Sequence, residues 1–214
     1  MKRKWIPVVC CWLAAAGFAS AQKAEALLEK AAAAYEKAGG ISVQFAANLH
    51  GESRQISESF EGTIRMKADK FVLVTPDIRT WYDGSTQWTY MVRTEEVNIT
   101  RPSGDELPFT NPMTLLRTWK KDFKPACIGE STVGEGKMAD DVSLVAKSSG
   151  QEVETVELQL DRATSLPARM TVTMKNKLRS VIRIDKMQTG LDLPDKLFTF
   201  PEADYPNVEI VDLR

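Results

Sequence analysis

A chain of 214 residues with 28 basic and 29 acidic side chains, a formal net charge of −1 and no long basic run is not built to grip nucleic acid. Its single histidine and three cysteines leave little for metal or nucleophilic chemistry. The size fits one domain with a substantial core.

The first 21 residues read as a secretory signal. Lys2, Arg3 and Lys4 form a positive start, and Ala19-Ser20-Ala21 is a small-residue cleavage motif. Between them, Trp5 to Phe18 is an apolar run of about 14 residues, short of the roughly 20 that a membrane-spanning helix needs. The mature chain is expected to begin at Gln22 and to form a single domain over 22–214, with a formal net charge of −4 once the three N-terminal cations are gone. Cys10 and Cys11 lie in the middle of the apolar run and read as part of it. Cleavage would leave Cys127 alone, so no internal disulfide is expected, and Cys127 reads as a small buried hydrophobe. No later stretch is apolar enough to span a bilayer.

Gln22 to Ala38 is an alanine-rich amphipathic segment with Leu28, Ala31 and Tyr35 on one face and Gly39-Gly40 as its stop, which predicts a helix. Strands follow. Ile41, Val43, Phe45, Ala47 and Leu49 alternate with mostly polar neighbours, and Ile56, Phe60, Ile64 and Met66 continue the pattern. A turn at Lys67–Lys70 leads to Phe71–Val74, and Ile78–Tyr82 leads to the Asp83-Gly84 hairpin signal. Trp88, Tyr90 and Val92 then alternate, followed by Val97 and Ile99.

Asn111-Pro112 predicts a second helix, with Leu115, Leu116, Trp119 and Phe123 at helical spacing and Lys120 and Lys121 near its C-terminal end. The remainder alternates again at Val142–Ala146, Val156–Leu160, Ala168–Met174 and Val181–Met187, and the chain finishes with Leu197, Phe198, Phe200, Val208 and Ile210. Some ten or eleven short strands with short connections predict an antiparallel sheet. A sheet of that size must curl. With two amphipathic helices against it, the expected architecture is mainly β (α+β): an incomplete antiparallel barrel, or half-barrel, with a helical lid over an apolar cavity.

The order of the pieces resembles the periplasmic outer-membrane lipoprotein carriers, the LolA-like family. The matching pieces are Val43-Gln44-Phe45, Phe60-Glu61-Gly62, Tyr82-Asp83-Gly84 followed by Trp88-Thr89-Tyr90, Leu115-Leu116, Phe198-Thr199-Phe200 and the terminal 208–214 segment. The resemblance spans nearly the whole mature chain and rests on order and spacing, since no single piece is specific. It implies a monomeric periplasmic carrier without catalytic chemistry or cofactor. Such a carrier takes acylated lipoproteins from an inner-membrane releasing transporter and passes them to an outer-membrane acceptor. The implied cargo cavity comprises Phe45, Ile64, Phe71, Trp88, Tyr90, Leu115, Leu116, Trp119, Met170 and Val172. Many family members tether the lid with an arginine at the turn after the second strand. The matching position here is Lys67, a point charge without arginine's fork of donors.

The same apolar residues would equally fill an ordinary closed core. An enzyme has little to work with: His50 ends a strand beside a polar turn, and Asp140-Asp141 should point to opposite faces of a strand. Phosphate loops and nucleophile elbows are absent from the sequence. The serious alternative is a non-catalytic lipid-binding or envelope-stress sensor module on the same fold. An integral outer-membrane barrel fits poorly with short strands and two helices.

Overall fold

The computed structural model describes residues 10–51, 56–102 and 112–214. Two α-helices and twelve strands are described: α1 (Cys10–Lys37), β1 (Gly40–His50), β2 (Ile56–Lys67), β3 (Lys70–Val74), β4 (Ile78–Tyr82), β5 (Gln87–Met91), β6 (Glu96–Thr100), α2 (Pro112–Asp122), β7 (Phe123–Val133), β8 (Lys137–Ala146), β9 (Val153–Asp161), β10 (Pro167–Met174), β11 (Arg179–Leu191) and β12 (Glu209–Asp212). All the strands belong to one sheet in the spatial order β12-β6-β5-β4-β3-β2-β1-β11-β10-β9-β8-β7. Two antiparallel meanders, β1–β6 and β7–β11, meet where β1 lies against β11, and β12 adds in parallel to β6. The sheet curls without closing, and its edges are β7 and β12. The mainly β half-barrel read from the sequence is the fold observed.

Strand alternation sends Ile41, Val43, Phe45 and Ala47 of β1, Ile64 and Met66 of β2, and Val142 and Leu144 of β8 to one core. We call this the inner face. Both helices pack on it. α1 contributes Ala24, Leu28, Ala31 and Tyr35, spaced three or four apart, and α2 contributes Leu115, Leu116 and Trp119. α1 reaches back beyond the expected start at Gln22, and among the described side chains its buried core positions follow Ala21. It ends before Gly39, whose φ of +66° is the left-handed conformation of a helix stop.

The second helix is shorter than its apolar spacing suggested. Phe123 is buried, but as the first residue of β7. Pro125 is the cause: it disfavours helical geometry at Lys124 and could not itself continue a helix. A proline in a sheet belongs on an edge, and β7 is an edge strand.

The outer face carries a second core. Val72, Trp81, Val97 and Phe200 are buried there, with Trp88, Tyr90, Ile99, Leu197, Tyr205 and Val208 packed around them. The C-terminal segment therefore straps the outside of β3–β6. Aromatic contacts hold it, with ring centroids 5.3 Å apart for Trp81–Phe200 and 4.8 Å for Tyr90–Tyr205.

Candidate functional site

The inner face is filled at one part and hollow at another. α1 crosses it from the β2–β3 turn, where Tyr35 Oη donates to Ala68 O at 2.9 Å, to β7 and β8, where Lys23 lies 3.8 Å from Glu130 and 3.7 Å from Asp140. Under the helices Leu28, Leu116 and Trp119 share a core with Phe71, Tyr82 and Leu144. β1, β2 and β11 are 11, 12 and 13 residues long. Strands of that length run roughly 35–45 Å, whereas two helices side by side cover about 20 Å. The strands thus extend past the helices, and the uncovered part is a cavity of about 370 Å³.

Its walls are Val43, Phe45 and Ala47 from β1, Phe60, Ile64 and Met66 from β2, Leu73 from β3, Leu158 from β9, Met170 from β10, and Ile182 and Ile184 from β11. The turn Thr75-Pro76-Asp77-Ile78, Glu58, Pro167 and Ser180 complete the described lining. Among the described residues, its charged lining is two carboxylates, Glu58 and Asp77. Gly62 shapes the wall: a Cβ there would stand 2.5 Å from Phe45 Cζ, so the glycine lets the Phe45 ring lie flat across β2. A space of this size with these walls suits a flexible apolar chain. Among the described residues no three His, Cys, Asp or Glu side chains gather as metal ligands. Asp140 and Asp141 do diverge, Asp140 to Arg162 and Asp141 to Ser131.

Of the residues nominated from the sequence, Phe45, Ile64 and Met170 line the cavity. Phe71, Leu115, Leu116 and Trp119 lie in the adjoining core under the helices, and half-buried Val172 packs against that core. Leu116 and Trp119 are only 2 % and 4 % exposed, so a charge there would attack the core before any cargo. Trp88 and Tyr90 require a correction: they lie on the outer face, in the strapped core. Trp88 pairs with Trp81, and both belong to that core, whereas Tyr82 faces inward. Alternation within β5 reveals two faces but not which one is inner. Val43, Ala47, Phe60, Met66, Leu73, Leu158, Ile182 and Ile184 were missed as cavity residues. The alternation of Ile182 and Ile184 was the available signal.

Lys67 is also corrected. Met66 faces inward, so its neighbour faces out. Lys67 Nζ donates to Leu193 O at 2.8 Å and to Asp195 at 3.3 Å, tying down the C-terminal strap rather than a helix. Lys70 meets the same Asp195 carboxylate at 2.9 Å, and the two cations hold its pKa below the usual carboxylate range. The link from the β2–β3 turn to the lid has the opposite polarity: Asp69 sits on the turn and Arg117 on α2, and they form an ion pair.

The ion pairs of the two helices differ in the burial of their acidic partners, while Lys23 itself is half exposed. Lys23 of α1 approaches Asp140, whose side chain is 11 % exposed and receives two hydrogen bonds from Arg162, at 3.1 and 2.9 Å. Arg162 holds the Asp140 carboxyl below its ordinary pKa, with Lys23 adding to the effect. By contrast, α2 is tied by exposed pairs, Arg117–Asp69 and Lys120–Glu29, the latter at 2.7 Å. Such pairs contribute about 0–1 kcal/mol each.

The sequence matches, over residues 15–177, the family described as outer membrane lipoprotein carrier protein LolA. No match was found among curated protein sequences. Among solved structures, an uncharacterized conserved protein from Thermus thermophilus is similar at a TM-score of 0.61 and 14% identity, covering 89% of this chain and 99% of that one. A LolA superfamily protein from Nitrosomonas europaea gives 0.47 at 14% identity, with 84% and 98% covered. The lipoprotein LppX from Mycobacterium tuberculosis gives 0.49 at 11% identity, with 81% and 99% covered.

Proposed function

The chain belongs to the family of outer membrane lipoprotein carrier protein LolA, and we propose that it holds the acyl chains of lipoproteins in its inner cavity and carries them through the periplasm. The apolar cavity of about 370 Å³ on the inner face is the observation that carries this reading. Burying one CH₂ contributes about 0.8 kcal/mol, so a long acyl chain offers on the order of 10 kcal/mol. A carrier must release what it binds, and opening the lid offsets part of that gain. α2, tied by exposed ion pairs, is the element suited to move, while α1 stays on its partly buried carboxylate. More than one chain would require α2 to lift and uncover Leu115, Leu116 and Trp119.

On this reading the leader is removed after Ala21, and the mature protein works as a monomer. The shortened α1 keeps Ala24, Leu28, Ala31 and Tyr35, its buried core face among the described side chains. An inner-membrane transporter would load the carrier and an outer-membrane acceptor would unload it. No covalent step is involved.

The test is to purify the mature chain from cells making a tagged outer-membrane lipoprotein and to identify by mass spectrometry what accompanies it. A stoichiometric acylated protein is expected. Ile182→Glu, at the half-buried cavity wall, should abolish it while the circular dichroism spectrum stays unchanged. If only free lipid or nothing accompanies the wild type, and lipoproteins still reach their membrane when the protein is depleted, the carrier reading is wrong.

A further inference from the structure

The inner face changes chemistry along a single rung of the sheet. Backbone register aligns Val43 with Ile64, Ile64 with Leu73, Leu73 with Thr80, Thr80 with Thr89, and Thr89 with Asn98. The first three line the cavity. The last three, on β4, β5 and β6, carry hydroxyl and amide groups. The next rung repeats the change: Met66, Phe71 and Tyr82 are followed by Gln87 and Thr100. Gln87 Nε2 lies 3.4 Å from Thr89 Oγ1, which joins the two rungs on one face. Gln87 Oε1 is buried and has no hydrogen-bond partner. Neighbouring strands are about 4.8 Å apart, so the polar strip begins roughly one strand from the cavity wall at Leu73.

We propose that this strip is a subsite for the uncharged, hydrogen-bonding head of an acylated cargo, its ester and amide groups, and that it makes the site selective against anionic lipids. The inference rests on the reading of the cavity as an acyl-chain site. Two observations carry it. Threonine hydroxyls and Asn and Gln amides both donate and accept, which matches ester carbonyls and amide N–H groups. Among the described residues, no lysine or arginine lines the cavity or faces inward from β4–β6, while Glu58 and Asp77 stand in the lining. A carboxylate or phosphate head would meet like charge and no lining cation, Arg93, 3.8 Å from Asp77, standing outside the described lining. A neutral head would meet neither problem, and the orphaned Gln87 acceptor would gain a donor.

Fluorescence binding with three probes tests this: a tripalmitoylated glyceryl-cysteine peptide amide, palmitate, and a pyrene-labelled alkane that has a tail and no head. The lipopeptide is expected to bind at least about tenfold tighter than palmitate. The double variant Thr89→Val/Asn98→Leu, at two half-buried positions, should weaken lipopeptide binding about tenfold, the worth of two hydrogen-bonding groups, and leave the alkane unchanged. Thr89→Ser keeps the hydroxyl and should bind as the wild type does, which separates recognition from damage to the fold. Equal binding of lipopeptide and palmitate, or a double variant that binds lipopeptide normally, overturns the polar subsite while leaving the cavity reading intact. Failure of the alkane to bind the wild type overturns the cavity reading itself.

Discussion

The helix-covered and the hollow parts of the inner face share one sheet and one residue chemistry, yet their side chains do different work. Under the helices, Leu28 and Leu116 have layers above and below them and are buried to 2 % exposure or less. At the hollow, Ile182 and Ile184 have the sheet on one side and space on the other, and they remain half-buried. An apolar side chain stabilises in proportion to the contacts it makes. The hollow residues therefore hold back part of what they could contribute, and that part is available to a ligand. Composition alone cannot separate the two groups.

The sharpest way to break the comparison is to truncate on each side of it. Leu28→Ala should cost about 3 kcal/mol in denaturant unfolding, because the packed layers cannot collapse around the gap. Ile182→Ala should cost about 1 kcal/mol, since much of its surface already faces space. Equal losses would mean that the cavity is closed by packing in solution. An intermediate effect is expected at Asp140. Its carboxyl is held below the ordinary value in the folded state, so its contribution is present above about pH 4 and is lost as pH falls through the lowered folded pKa. Asp140→Asn should therefore destabilise by about 1–2 kcal/mol at pH 7 and converge on the wild type once the pH has fallen below the lowered folded pKa. A gap that persists in acid would show that the group acts through shape and not charge. The smallest change in stability is expected for Arg117→Ala, under about 1 kcal/mol, because the pair it forms with Asp69 is exposed. Its larger consequence should be faster uptake of an acyl probe by stopped-flow fluorescence, as α2 loses a tie. Unchanged uptake would place the moving element elsewhere.

Much of this fold was legible in the sequence because it is written in alternation. The inner residues of β1 follow from Ile41, Val43, Phe45 and Ala47, and the buried face of α1 from its helical spacing. Alternation specifies that a strand has two faces, and the cores specify which is inner. Trp88 and Tyr90 went to the wrong face because the sheet has an apolar core on each side over β3–β6, so aromatic character no longer marks the inside. Lys67 was read from a motif position, but what it meets depends on the path of the residues at 193–195. Phe123 obeyed a helical spacing that Pro125 overrode. The hollow itself is a difference between strand length and helix coverage, which no local pattern encodes. The family was readable from the order of elements, whereas the uneven fastening of the two helices needed the ion pairs.

The unjoined edges at β7 and β12 have a mechanical meaning. A closed barrel has a fixed circumference, and widening it breaks backbone ladders. Here the curl can open like a clasp, with β1 and β11 as its spine, while every pair in the strand order stays bonded. β6 and β7 stand near opposite edges, and α2, which lies between them in the chain and leads directly into β7, packs on the inner face. The helix that roofs part of the interior is thus joined to one edge strand, and spreading of the clasp would carry it along. Girth becomes an adjustable quantity, which allows a single sheet to accommodate contents of different bulk.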